Sequence, residues 1–162
     1  MRRRRQQGPI VPNADGTFSI NLSEGDRDTM VELLEQLGTV VRGADDDVRT
    51  KRLYPVAYHD DADKESEWQG FMRDELVQSR MGAIETSIGM LRADSPATVA
   101  DLTAFMTSLN SLRLVLGTLL DVREDEDGDD IPEDHPAHGP TQLYGYLGWL
   151  LGWTVDALET TL

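Results

Sequence analysis

Leucine or phenylalanine returns at every third or fourth position through Leu102, Phe105, Leu109, Leu112, Leu116 and Leu119. That spacing draws one apolar stripe along an α-helix. A helix so striped has to be covered by other elements, and the chain supplies them in the same style. Met30, Leu33, Leu34, Leu37 and Val41 form one stripe, and Leu143, Leu147, Leu150, Leu151, Thr154 and Leu158 form another. Between Asp63 and Arg92, Trp68, Phe71 and Met72 define a first stripe, and Val77, Met81, Ile84, Ile88 and Leu91 a second, about half a turn round. No proline interrupts that stretch, so a single long helix, placed centrally and meeting different partners along its length, is the favoured reading.

The boundaries carry their own signals. Ser23 with Asp26 three positions on resembles a capping box, and that helix is expected to end near Val41 before Arg42-Gly43. Ser95 followed by Pro96 reads as an N-cap and first helical residue, and Pro140 as the start of the last helix. Near the N-terminus, Asp15-Gly16 separates Ile10-Val11 from the alternating Thr17 to Leu22, the pattern of a hairpin with Phe18, Ile20 and Leu22 on its core face. Pro55 disfavours helix at Tyr54, so an extended segment anchored by Leu53, Tyr54 and Tyr58 is expected there. The predicted fold is mainly α: a single-domain helical bundle of about four principal helices with a short N-terminal β-hairpin.

A length of 162 residues fits one domain and is enough to bury a core without a staple. Residues 1–8 read as a basic, flexible arm, residues 9–162 as the helical domain, and 123–139 as a loop holding eight acids. There is no cysteine, which excludes disulfides, zinc–thiolate sites and thiol nucleophiles. No early apolar run suggests a secretory signal, and the stretch from Leu143 to Val155 falls short of the roughly 20 apolar residues that span a bilayer. A cytoplasmic protein without membrane contact is expected. The net charge of −15 sets up a field that repels phosphate backbones and anionic lipid.

Three groups of residues are candidates for binding. Asn110, Arg113 and Gly117 fall together on the edge of the helix centred on Leu109, where they form either a polar clamp, with Arg113 paired to an acid such as Asp74 or Glu75, or a small partner-binding notch. Tyr146, Trp149 and Trp153 form an aromatic face on the last helix, suited to a partner or to a homodimer, while Gly145, Gly148 and Gly152 form a third face. Arg2, Arg3, Arg4 and Arg5 are the one basic cluster that suits nucleic acid; four phosphate contacts would give a salt slope of roughly −3.6.

Chemistry is sparser. Asp125-x-Asp127-Gly128 matches three positions of a calcium loop, but Arg123 would stand at the first ligand position and the closing Glu is missing. His59, His135 and His138 lack a ligand spacing, and no phosphate-binding loop, nucleophile elbow or zinc-protease motif is present. The expectation is no enzyme, no cofactor and no metal site.

Arg52-Leu53-Tyr54-Pro55 with Tyr58, the run Leu109-Asn110-Ser111-Leu112-Arg113-Leu114-Val115-Leu116-Gly117, and Tyr144-x-Tyr146-Leu147 after His135-Pro136 together resemble the actinobacterial AosR-like family, formerly described only as a domain of unknown function. The resemblance covers about positions 45–158. It implies a mostly helical fold and a role in oxidative-stress transcription alongside an alternative sigma factor, and it brings no catalytic residues. Ser111 stands where the family pattern has Asp, and Tyr146 where it has Trp. Without cysteine, oxidant sensing would fall to methionines such as Met72, Met81, Met90 and Met106, or to a partner.

The functional expectation is therefore a transcription-associated regulatory protein acting mainly through protein–protein contacts, with RNA polymerase or an alternative sigma factor as partner. Direct DNA binding as a dimer through the arginine arm is the alternative, and a small metal-dependent enzyme the lesser one.

Overall fold

The computed structural model describes residues 8–43, 48–54, 56–120, 133–136 and 138–162. Two short strands, β1 (Ile10–Pro12) and β2 (Phe18–Ile20), are followed by helices α1 (Glu24–Val41), α2 (Ala62–Arg92), α3 (Val99–Leu120) and α4 (His138–Glu159), with one 3-10 turn at Val48–Thr50. The architecture is the helical bundle with an N-terminal hairpin that the periodicities predict.

The hairpin pairs Ile10 with Ile20, Val11 with Ser19 and Pro12 with Phe18. Its turn closes through Asn13 N–H to Thr17 O at 2.8 Å, and Gly16 takes the positive φ of 85° that this turn requires. A two-stranded ribbon is marginal alone. Here Ile10 and Phe18 are plugged into the core, each worth about 1.5–3 kcal/mol of burial. Phe18 also exchanges two backbone hydrogen bonds with Ala97, at 2.9 and 2.8 Å, which fastens the ribbon to the lead-in of α3.

Helix α1 starts as its sequence predicts: Ser23 is the N-cap and its hydroxyl accepts from Asp26 N–H at 3.1 Å. Helix α3 does not. Ser95 and Pro96 lie before it, and Thr98 and Asp101 form the capping box, each side chain accepting from the other's N–H, at 3.1 and 3.0 Å. The Ser-Pro start is displaced because Ala97 is held in extended backbone by its bridge to Phe18. Helix α4 starts two residues before Pro140, which sits in the first turn, where no N–H is needed.

The single long helix is present as α2, but the centre of the bundle belongs to α3, which packs on α1, α2 and α4. Thirty-one residues of α2 reach about 46 Å, whereas α3 with its 22 reaches about 33 Å. The excess falls in the N-terminal half of α2. Of its expected first stripe, Phe71 is 75% exposed and Trp68 and Met72 are only half-buried. The second stripe holds, with Ile84 and Leu91 buried among Leu34, Leu102, Phe105 and Leu109.

The connection into α2 corrects another expectation. Leu53 and Tyr54 are buried, but in a turn rather than an extended run, and Tyr58 is exposed. The Glu65 carboxylate accepts from the N–H groups of Ala57 and Tyr58, at 3.0 and 2.7 Å, and this holds the segment over the exposed first turns of α2. A hydrogen bond from the Gln69 amide, followed by these two, holds the Glu65 carboxyl below its ordinary pKa. The residues proposed as an arginine arm, the candidate calcium positions and most of the acidic loop lie outside the described residues. No described helix is long and apolar enough to cross a membrane.

Candidate functional site

Helix α4 contains no Asp, Glu, Lys or Arg from position 138 to 155, in a chain of net charge −15. Its inner face buries Leu147, Leu150, Thr154 and Ala157 against α3, and the Thr154 hydroxyl is satisfied by Leu150 O at 2.8 Å. A second face meets α3 through the residues once grouped as a notch. The Arg113 guanidinium lies 4.9 Å from the Tyr144 ring centroid, and Nη2 donates to the Tyr144 hydroxyl at 3.4 Å. It also crosses Gly148, where a Cβ would come within 3.4 Å of it. Gly117 is buried: a Cβ there would lie 3.0 Å from Arg52 Nη1 and 3.3 Å from Tyr144.

Arg113 and Gly117 therefore form a closed seam between α3 and α4, not an open notch. The cation is held by an aromatic ring, and among the described residues Asp74 and Glu75 do not pair with it. Asn110 is exposed and takes no part: it shares the helix edge with Gly117 but lies about 10 Å from it along the axis, beyond Arg113. The three glycines expected to form one face of α4 separate as well. Gly148 belongs to the seam, whereas an added Cβ at Gly145 or Gly152 would meet nothing within 4 Å.

The third face of α4 is the open one. Trp149 is 51% exposed and Trp153 is 36% exposed, with Gly145 and Gly152 on the same side. Tyr146 is half-buried, its ring tilted against Trp149 at 5.6 Å between centroids. Its hydroxyl is fully buried and has no hydrogen-bond partner among the described residues; burial, and then the Asp26 carboxylate, push its pKa up. The backbone of Gly8 rests on the Trp153 ring so closely that a Cβ would fall within 2.5 Å of it.

Around the corner lies an apolar groove of about 180 Å³, lined by Leu33, Leu37, Val40, Leu116, Leu119 and Leu143. Leu119, expected in the core, is 58% exposed at its rim, because the last turn of α3 opens into this groove.

Several structural arginines escaped the sequence reading. Arg73 stacks on Tyr54 at 4.2 Å, at one wall of a cleft of about 720 Å³ that Lys51, Ser66, Gln69 and Asp74 also line. Arg80, one heptad on, donates to Leu53 O at 2.9 Å and to Ser111 Oγ at 3.1 Å, and burial lowers its pKa. Ser111, where the AosR-like pattern has Asp, thus faces α2 and not the seam. The seven-residue spacing of Arg73 and Arg80 on one helix face is the signal that points to this pair. Among the described residues no group of three His, Asp or Glu side chains is placed to hold a metal.

A family model described as a domain of unknown function, DUF2017, matches residues 2–158. The chain belongs to the DUF2017 family. No curated protein and no solved structure matches it. Within this DUF2017 chain, the motifs centred on Leu53, Arg113 and Tyr144 converge on the helix seams: Tyr54 under Arg73, Ser111 against Arg80, and Arg113 against Tyr144.

Proposed function

We propose that this protein is a regulatory interaction protein that acts on transcription in the oxidative-stress response through protein–protein contacts, with RNA polymerase or an alternative sigma factor as the partner. The AosR-like motifs motivate the biological setting. The observation that carries the mode of action is the open aromatic face of α4, uncharged from position 138 to 155 on a strongly acidic chain. Tryptophan and tyrosine supply large contact area at low entropic cost and dominate interface energetics. The acidic exterior adds steering toward a basic partner rather than toward bare DNA.

The test is direct binding between the purified full chain and RNA polymerase, alone and loaded with each alternative sigma factor in turn, together with the free sigma factors. Binding of at least one of these is expected. Trp149→Ala should weaken it about thirtyfold, the equivalent of a ~2 kcal/mol hot spot, with the circular dichroism unchanged. No binding to any form, or equal binding by Trp149→Ala, would overturn the reading.

A further inference from the structure

We infer that the cleft between the Val48–Thr50 turn and the first half of α2 is a binding site for a small organic phosphate, with Arg73 and Lys51 holding the phosphate group. The site stands apart from the outer face of α4, and the two readings fail or hold separately.

The cleft measures about 720 Å³, a volume typical of small-molecule sites. Helical spacing builds one wall: Ser66, Gln69, Gly70 and Arg73 recur at three and four residues and so share a face of α2. Lys51 and Tyr54, from the turn and the chain after it, supply the other. Arg73 is 9% exposed, and its guanidinium lies 4.2 Å from the Tyr54 ring centroid. The ring fixes the plane of the cation before any ligand arrives, which lowers the cost of binding. A guanidinium has five N–H donors, enough to serve the protein and a ligand together. Lys51 is exposed on the same cleft and adds three more.

Charge selects the ligand. On a chain of net charge −15, the described lining of this cleft carries two cations against one acid, Asp74. The cleft of about 430 Å³ between α1 and the end of α2 is the opposite, with Glu24, Asp28 and Asp94 against two cations. Arg49 and Arg52 flank Lys51 in the chain and add to the local potential. The field of the distant acids is cut off beyond about 8 Å at 0.15 M salt, so the cations in contact decide. A phosphate monoester brings about −1.5 to −2 charges at neutral pH, which matches Arg73 with Lys51; a carboxylate brings one. The remaining lining suits a hydroxylated body. Ser66, the Gln69 carbonyl and the Asp74 carboxylate can accept from ligand hydroxyls, while Val48 and Val56 form apolar lips. A sugar phosphate combines these features.

Isothermal titration of the full chain with ribose 5-phosphate, ribose and inorganic phosphate, in low salt, tests the site. Ribose 5-phosphate should bind with a Kd of about 1 mM or below, the affinity a ligand of that size reaches at ordinary efficiency. Inorganic phosphate should bind more weakly and ribose not at all. Lys51→Ala should weaken the sugar phosphate about tenfold. Gly70→Leu should abolish binding by filling the cleft. Its melting temperature should equal or exceed that of the wild type, because a Cβ at Gly70 meets nothing within 4 Å and leucine is the better helix former. Gly82→Leu, at an equally open glycine of α2 outside the cleft, should bind as the wild type does. No heat from ribose 5-phosphate at ten times the expected Kd would overturn the inference. So would ribose or inorganic phosphate binding as tightly as the ester, binding unaltered by Lys51→Ala and Gly70→Leu, or an equal loss in Gly82→Leu.

Discussion

The Tyr146 hydroxyl is buried and has no hydrogen-bond partner among the described residues, with the Asp26 carboxylate adding to the effect of burial on its pKa. A buried donor without an acceptor costs about 1–3 kcal/mol, so Tyr146→Phe should stabilise the fold by ~1 kcal/mol, read as a rise of about 2–4 °C in melting temperature. The pH dependence has a definite sign. The folded state holds the hydroxyl protonated above its ordinary value of 10.0, so this contribution is complete below that pH and is lost as pH rises through the raised folded value. Tyr146→Phe should therefore lose less stability than the wild type in alkaline melts. Equal alkaline slopes would show that the Tyr146 hydroxyl titrates alike in the folded and unfolded chain, and would overturn the raised folded value. Neither Tyr146 nor Arg113 could be assigned its surroundings from sequence. The helical wheel placed both correctly on α4 and α3, but which neighbour faces a polar side chain depends on how two helices cross, and one chain's periodicity does not encode that.

At the scale of elements, Arg27 on α1 does the most tying for one side chain. Nη2 donates to Ile20 O at 2.6 Å, Nη1 to Leu91 O at 2.8 Å and Nε to Leu22 O at 3.3 Å, so β2, the segment entering α1 and the last turn of α2 converge on one cation. The negative end of the α2 dipole strengthens the middle contact. Arg27→Met keeps the apolar stem and strands three carbonyls; a loss of about 2 kcal/mol in urea unfolding is expected, with the midpoint lowered and the slope unchanged. The elements themselves were largely legible. The stripes on α1 and α3 and in the second half of α2 name most of the core, and the Ser23 cap is where the sequence puts it. The errors share a cause. Trp68, Phe71 and Leu119 are apolar enough to be read as core, but each lies where its helix outruns the neighbour that would cover it. Periodicity gives the direction of a side chain round the helix axis; it does not give the length of the partner.

For the whole molecule, the net charge of −15 opposes every compaction and every self-association. At low ionic strength this repulsion acts over roughly 30 Å, and at 0.15 M it is cut to about 8 Å. Added sodium chloride should therefore raise the melting temperature, and circular dichroism melts at low and moderate salt read the direction at once. A melting temperature that fell with added salt would show that attractive charge pairs outweigh this repulsion. The distribution of the three tryptophans has an optical consequence. The fully buried core holds Phe18, Phe105 and Tyr54 but no tryptophan, while Trp68 is half-covered and Trp149 and Trp153 stand at the surface of α4. Intrinsic emission from the dilute chain will carry a red-shifted share from Trp149 already in the native state, so a fluorescence melt will report chiefly the uncovering of Trp68 and Trp153. The same emission moves to the blue when that one helix face is covered, which makes the unlabelled protein its own reporter of contact.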